Sequence, residues 1–292
     1  MNTKGFTLEK TIGRVLMLFS ITAVIVLLLI MLFILDSGLP LFTKVGVLDF
    51  LFGTKWVPGE NLYGAFQFII ATFLVTFGAL LIAVPLGLSC AVFLAEIAPS
   101  WAKRIVRPAI ELLAGIPSII YGVFALVIIV DLVQITFNLA TGETILAASL
   151  ILSIMILPII ISISQDAIES VPMLYREGSY AMGATDWQTI YRVLIPAASQ
   201  GIVASIILGM GRAIGETMAV VLVIGNVEKL PMGVLDPGET LTSAILLEMG
   251  EAVVKSTHYS ALFCLGIVPF IFVLLLSLLS SRLISKSSGR FE

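Results

Sequence analysis

Long apolar runs separated by short polar stretches set the pattern of this chain. VLMLFSITAVIVLLLIMLFIL at 15–35 carries no charge. Further apolar runs lie within 61–95 and at 112–130, 144–165, 200–225 and 259–281. Each approaches or exceeds the roughly 20 residues that a helix needs to cross the hydrocarbon core. The pattern predicts an all-α membrane protein with six transmembrane helices. It divides the chain into an N-terminal segment 1–14, a transmembrane domain 15–285 and a tail 286–292. The first run is too long for a signal-peptide core and is read as an anchor that stays. Pro85 is expected to kink the later part of the second run.

An even number of crossings puts both termini on one side. Eleven of the sixteen lysines and arginines then fall on that side, four fall on the other, and Arg212 lies inside a crossing. Basic residues favour cytoplasmic loops, so both termini are expected in the cytoplasm. Composition agrees with a bilayer as solvent: 59% of residues are hydrophobic and only 12% charged. A net charge of −3 gives no basic footprint for nucleic acid. Cys90 and Cys264 both lie in apolar runs and read as small hydrophobes, not as a disulfide or metal site. The single histidine, His258, has no clustered ligands and reads as structural. No cofactor is expected. No nucleophile–base–orienter set stands out, which argues against a membrane enzyme.

Two loops carry local signals. In the exterior loop 226–258, DPGE at 236–239 resembles a helix start, with Asp236 as N-cap, Pro237 in the first turn and Glu239 as capping-box partner. TLTSAILLEMGEAVV after it is either a short amphipathic loop helix or a segment that lies on or dips into the membrane. The long loop 166–199 on the side of the termini reads as two short helices. Glu169 to Tyr180 forms one after the Pro172 start signal, and Gly183 breaks it. Asp186 caps the second, with Trp187, Ile190, Tyr191 and Leu194 on one face. Such a projecting helix-turn-helix either docks a partner or folds back on its own bundle.

Within this loop, EGSYAMGATDWQTIYRVLIP resembles the coupling element of ABC-importer permeases. That family's pattern is Glu-Ala-Ala, three residues, Gly, nine residues, then Ile-x-Leu-Pro. Glu177, Gly178, Ser179, Gly183, Val193, Ile195 and Pro196 stand at matching spacing, with Gly178 and Ser179 in place of the alanines. The resemblance implies that 173–196 docks in a groove on a separate ATPase, through Glu177, Gly178, Ser179, Gly183 and Pro196. No lysine in the chain follows a glycine, so it has no P-loop of its own.

The stretch GRAIGETMAV at 211–220 places Arg212 and Glu216 in apolar surroundings. A charge at mid-bilayer costs at least about 2.5–3.5 kcal/mol. Spacing i, i+4 predicts that the two share a helix face and pair. A guanidinium screened in this way stays poised for an anion, because its planar fork matches phosphate oxygens. Thr217 adds a hydroxyl. Gly211 and Gly215 form a GxxxG on an adjacent face for close helix approach. A plain structural ion pair between packed helices remains open at this point. In ELLAGIPSIIYG, Gly115 and Pro117 weaken a helix, so that freed backbone and Ser118 line a polar path, or the proline serves packing alone.

RAIGETMAV is similar to the Arg-Ala-x-Gly-Glu-Thr-Met-Ala signature of phosphate-specific ABC permeases. PLGLSCAVFLAEIAP (85–99), ELLAGIPSIIYG (111–122) and TLTSAILLEMGEA (240–252) also resemble that family, and LFGTKWVPGENLYGAFQFIIAT resembles its PstC-type subunit. The resemblance covers about 15–285. It implies a six-helix permease in the cell membrane, and the residues read above make Arg212, Glu216, Thr217 and Ser118 its expected substrate path. It implies as partners a PstA-type second permease, a pair of ATPase subunits, an extracytoplasmic phosphate-binding protein and membrane lipid. Alternatives are an importer for another oxyanion, molybdate or sulfate, and a secondary transporter using Glu216 as a proton site. The coupling loop argues against the latter.

Overall fold

The computed structural model describes residues 3–288, with side chains described over 12–278. In chain order the elements are α1 (Thr3–Gly38), α2 (Val47–Phe52), β1 (Trp56–Val57), β2 (Leu62–Tyr63), α3 (Phe66–Val92), α4 (Ser100–Gly115), α5 (Ser118–Phe124) and α6 (Val130–Phe137). They continue with α7 (Ile145–Glu169), α8 (Met173–Ala181), α9 (Asp186–Thr189), α10 (Ile195–Ala197), α11 (Ser199–Gly215), α12 (Met218–Val221), α13 (Leu241–Glu248) and α14 (Thr257–Ser288). Single π-helical turns extend α3 (Phe93–Ile97), join α5 to α6 (Ala125–Ile129) and join α9 to α10 (Ile190–Leu194).

Among the described residues, five stretches are long and apolar enough to cross a bilayer: Ile12–Thr43, Phe66–Ile97, Ser118–Phe137, Ile145–Glu169 and Thr257–Leu278. A sixth crossing arises if Asp186–Ala197 and Ser199–Gly215, bent by 66°, count as one. Two boundaries differ from the sequence expectation in ways that matter. The third crossing begins at Ser118, not near Leu112. Ile116 and Pro117 are extended, since a proline pushes its predecessor out of the helical region. The residues before them form α4, a separate amphipathic helix that carries Lys103, Arg104 and Arg107. The fifth crossing stops at Gly215, ten residues short of the expected 225, because Glu216 is extended. Pro85 does not break the second crossing, which runs on as one helix through Ile97.

The core forms around α7, the most buried crossing, which packs between α3 and α11. Small residues set the helix spacing there. A Cβ on Gly87 of α3 would stand 2.8 Å from the Ile160 side chain of α7. A buried hydrogen bond of 2.8 Å joins the hydroxyls of Ser164 on α7 and Ser205 on α11. In contrast, α1 is exposed over most of residues 12–38 and packs mainly on α14.

On the face opposite α8, an aromatic cluster ties the ribbon to the bundle. Trp56 is buried and meets Tyr63 and Phe68 edge-on at 5.4 and 5.2 Å. Its indole N–H donates to both Glu248 oxygens at 2.9 and 3.0 Å, and His258 Nε2 lies 2.6 Å from Glu248 Oε2. The start of α13 is also fixed from the bundle. Asp236 is not the N-cap. Its carboxylate instead accepts from the Met232 and Gly233 N–H groups in a turn. Thr240 caps α13 in a capping box with Ser243, and the Leu241 N–H donates to Thr72 Oγ1 of α3 at 3.0 Å. Leu241, Ser243 and Ala244 are fully covered, so this segment is inserted in the bundle and is not a free loop helix.

A backbone N–H left bare in such a buried place costs about 1–2 kcal/mol. Thr72→Val is therefore expected to lower the unfolding midpoint of the detergent-solubilised chain, and Thr72→Ser to leave it near wild type. An unchanged midpoint in Thr72→Val contradicts the anchoring of α13 to α3.

Candidate functional site

Arg212 stands in the last turn of α11, where the positive end of a side chain complements the helix dipole. It is exposed, and among the described residues it makes no hydrogen bond or ion pair. The expected i, i+4 pair with Glu216 does not form. That geometry needs a continuous helix, and the helix ends one residue before Glu216. The Glu216 carboxylate turns instead to the next short helix, accepting from the Ala219 N–H at 3.4 Å. Thr217 lies in the break, its hydroxyl donating to the Gly215 carbonyl at 3.4 Å. A Cβ on Gly211 would stand 3.8 Å from Val273 of α14, and nothing lies within 4 Å of one on Gly215, so no helix of this chain approaches the GxxxG closely.

The break is held from outside its own segment. Thr242 Oγ1 of α13 donates to the Glu216 carbonyl at 3.0 Å, supplying a partner that helix continuation would otherwise give. The α4–α5 break lies next to it. Gly122, one turn past Ser118, packs so closely on α12 that a Cβ there would stand 2.9 Å from Ala219 Cα. The Tyr121 hydroxyl reaches back over the break and donates to the Leu113 carbonyl at 2.8 Å. Ser118, half-buried at the start of α5, shares with Gly122 the i, i+4 face turned toward α12. Two broken helices thus place Arg212, Glu216, Thr217 and Ser118 in one region. No hydrogen bond joins Ser118 to Arg212 among the described residues.

Toward the Trp56 face, Glu239 lies between Gly238, which packs on Ala71, and Leu241, which bonds Thr72. It is 3% exposed. Burial, with the neighbouring carboxylates of Glu228 and Glu248, pushes its carboxyl up to about 8. Sequence reading gave Glu239 only a capping role. Its position inside the bundle depends on the α13 insertion, which no local pattern announces.

At the opposite face, α8 has no buried residue. Glu177 and Gly178 are exposed, and nothing stands within 4 Å of a Cβ on Gly178. Gly183 ends the helix at φ +79°, with Ala184 N–H on Ser179 O and Gly183 N–H on Tyr180 O, the Schellman pattern. The Ser179 hydroxyl bonds that of Thr189 at 2.8 Å, which joins α8 to α9. Thr185, not Asp186, is the N-cap of α9, in a capping box with Gln188. The expected single face also divides. Ile190 and Leu194 are buried, whereas Trp187 and Tyr191 are exposed: each pair keeps its four-residue spacing, and the arc splits between the bundle side and the outer side. Pro196 lies exposed in the first turn of α10.

One contact at this face was not legible in advance. Arg176 of α8 pairs with Glu96 at the end of the second crossing, N to O at 2.6 Å, both side chains mostly covered. Arg176 also donates to the carbonyls of Val171 and Ile168. The bond to Glu96 raises the guanidinium pKa further. α8 is thereby fixed to the bundle, with its outer side free.

Residues 83–290 match the family described as the binding-protein-dependent transport system inner membrane component. The chain belongs to that family. As such a component it is a multi-pass inner membrane protein. It is 45% identical over 254 residues to a probable ABC transporter permease protein, YqgH, of Bacillus subtilis, covering 84% of this chain and 82% of that one. It is 39% identical over 257 residues to the phosphate transport system permease protein PstC of Haemophilus influenzae, covering 82% and 81%. A solved structure of a bacterial alginate ABC transporter with its periplasmic protein shares the fold, with TM-score 0.60 at 18% identity over 94% of this chain and 95% of that one.

The raised Glu239 carboxyl has a pH signature. Its neutral form is favoured in the folded protein, so ionisation lowers stability as pH climbs from about 4.5 toward about 8. Glu239→Gln removes that ionisation. The stability of Glu239→Gln relative to wild type is expected to rise between pH 5 and pH 8.5, by up to about 4 kcal/mol. Thermal unfolding at both pH values reads it, and a pH-independent difference contradicts a buried titrating Glu239.

Proposed function

We propose that this chain is the PstC-type permease subunit of an ATP-driven phosphate importer. The observation that carries the reading is Arg212: an exposed guanidinium with no polar partner among the described residues, held at a helix break inside the apolar bundle. An uncompensated charge at membrane depth is costly and is kept where it meets a polar path or a charged solute. The relatives named as phosphate transport permeases support phosphate as that solute. In this reading a PstA-type second permease completes the path along the faces that carry Arg212 and Ser118. An extracytoplasmic phosphate-binding protein delivers the anion at the Trp56 face, and both termini lie in the cytoplasm. The chain is not itself an enzyme. A pair of ATPase subunits hydrolyses ATP and grips α8 and α9.

The geometry suggests how the parts cooperate. Arg212 forms bidentate bonds to phosphate oxygens, while the hydroxyls of Thr217 and Ser118 add neutral ones. Glu216, held off at the start of α12, keeps the site from becoming a deep trap that would stop flux. Thr242 links the break to α13 and so to the Trp56 face, where the binding protein docks. The Arg176–Glu96 pair passes ATPase movement to the second crossing.

Arg212→Gln is expected to cut ATP-driven phosphate uptake in proteoliposomes by about 30-fold or more, the equivalent of about 2 kcal/mol of charge-assisted bonding, with the complex still assembled. Near-normal uptake sinks the role of Arg212. Competition by molybdate and sulfate reads the anion, and uptake blocked equally by either one overturns phosphate specificity. Trp187→Ala is expected to weaken retention of the ATPase by about 1–2 kcal/mol, as for an exposed aromatic anchor. Unchanged retention removes Trp187 from that interface.

A further inference from the structure

A cavity of about 540 Å³ opens among α1, α3 and α14 beneath α2. Its walls include Leu35 at the end of α1, Phe66 and Ile69 of α3, and Val268 of α14. Phe73 and Phe272, edge-to-face at 4.8 Å, also line it. The lining is apolar except for Cys264, whose thiol is already used, donating to the Gly38 carbonyl at 3.0 Å. The cavity therefore offers nothing to water or to a polar solute, and space of this kind takes an apolar guest. Leu39, Phe52 and Leu275 of its lining are exposed, so it is open at the bilayer side of the bundle.

A second cavity, of about 580 Å³, adjoins it across α2, and Phe52 lines both. This one is polar. Lys44 and Lys55 line it together with Asp49 and Asn61, a net positive set. Lys44 Nζ donates to Thr257 Oγ1 at 2.7 Å, which fixes its position and leaves two N–H groups to use. An apolar slot at membrane depth with a basic basin directly beside it matches one kind of molecule, an acyl chain joined to a phosphate.

We propose that these two cavities form one binding site for an anionic glycerophospholipid of the leaflet opposite α8, with an acyl chain between α1, α3 and α14 and the phosphate at Lys44 and Lys55. A free phosphate ion has no use for the apolar slot, and a zwitterionic lipid gains less from the net positive basin. Such a lipid wedges the lightly packed α1 against the rest of the bundle. The site lies apart from Arg212 and does not depend on the function proposed above.

The test is titration of the intact, delipidated transporter complex in detergent, followed by native mass spectrometry. The probes are phosphatidylglycerol, phosphatidylethanolamine and inorganic phosphate. One phosphatidylglycerol per copy of this chain is expected, bound about fivefold more tightly than phosphatidylethanolamine. Lys55→Gln is expected to remove about that factor, and Val268→Trp, which fills the slot, to weaken both lipids at least about tenfold. If Val268→Trp does not assemble, Ile69→Trp fills the same slot from another helix. Phosphatidylglycerol binding that survives both slot-filling variants overturns the proposal. So does equal binding of the two lipids with no effect of Lys55→Gln. Displacement of phosphatidylglycerol by inorganic phosphate at the same concentration assigns the basin to a free anion and also overturns it.

Discussion

The hydrogen bond from Thr242 to the Glu216 carbonyl holds together what is distinctive in this bundle. A helix within a bilayer can stop only where its freed backbone groups find other partners, since the hydrocarbon offers none. Gly215 marks the end of α11, and the extended Glu216 turns its carbonyl toward α13. α13 can answer because its own start is pinned by Thr72 on the second crossing. The break, the inserted segment and the second crossing thus form one hydrogen-bonded unit. Arg212 is left at the exposed end of a helix, with its usual intrahelical partner moved out of reach.

Charge placement follows from this unit. Had α11 continued, Arg212 and Glu216 would have neutralised each other along one face, and the bundle would hold a quiet structural ion pair. The break separates them by using Glu216 to cap α12. The same logic runs in reverse at the α8 face. There Arg176 and Glu96 are brought together from distant parts of the chain and mostly covered, so their charges serve to fix one element to another. Arg212 is left without a polar partner among the described residues, and Arg176 fixes one element to another. Glu239 is a third case, a carboxyl covered by the inserted segment and held mostly neutral near physiological pH.

How much of this the sequence announced follows from what each feature depends on. The crossings were legible because twenty-residue apolar runs need no tertiary information. Gly183 as a helix stop was legible because a left-handed C-terminal glycine has a local signature, whereas the exposure of α8 was left open against folding back on the bundle. The Arg212–Glu216 pair was misread because i, i+4 spacing has meaning only in an unbroken helix, and the break is stabilised by Thr242, 26 residues away. Asp236 was misread for a related reason: DPGE matches a capping box, yet Asp236 is taken up by its own turn and Thr240 caps the helix. Glu96 and Arg176, 80 residues apart, carried no pairing signal at all. The division of Trp187 and Tyr191 from Ile190 and Leu194 depends on how much of their common arc the bundle covers, which a helical period alone does not reveal.

The central claim is that position 212 faces water within the assembled transporter although it lies in an apolar crossing. Accessibility measures it directly. With Cys90 and Cys264 replaced by alanine, a cysteine substituted for Arg212 can be treated with a charged, membrane-impermeant thiol reagent in proteoliposomes of the whole complex. Modification of the substituted cysteine at a rate near that of an exposed loop cysteine is the predicted result. A cysteine that reacts only with a lipid-soluble reagent, or with neither, would contradict the account.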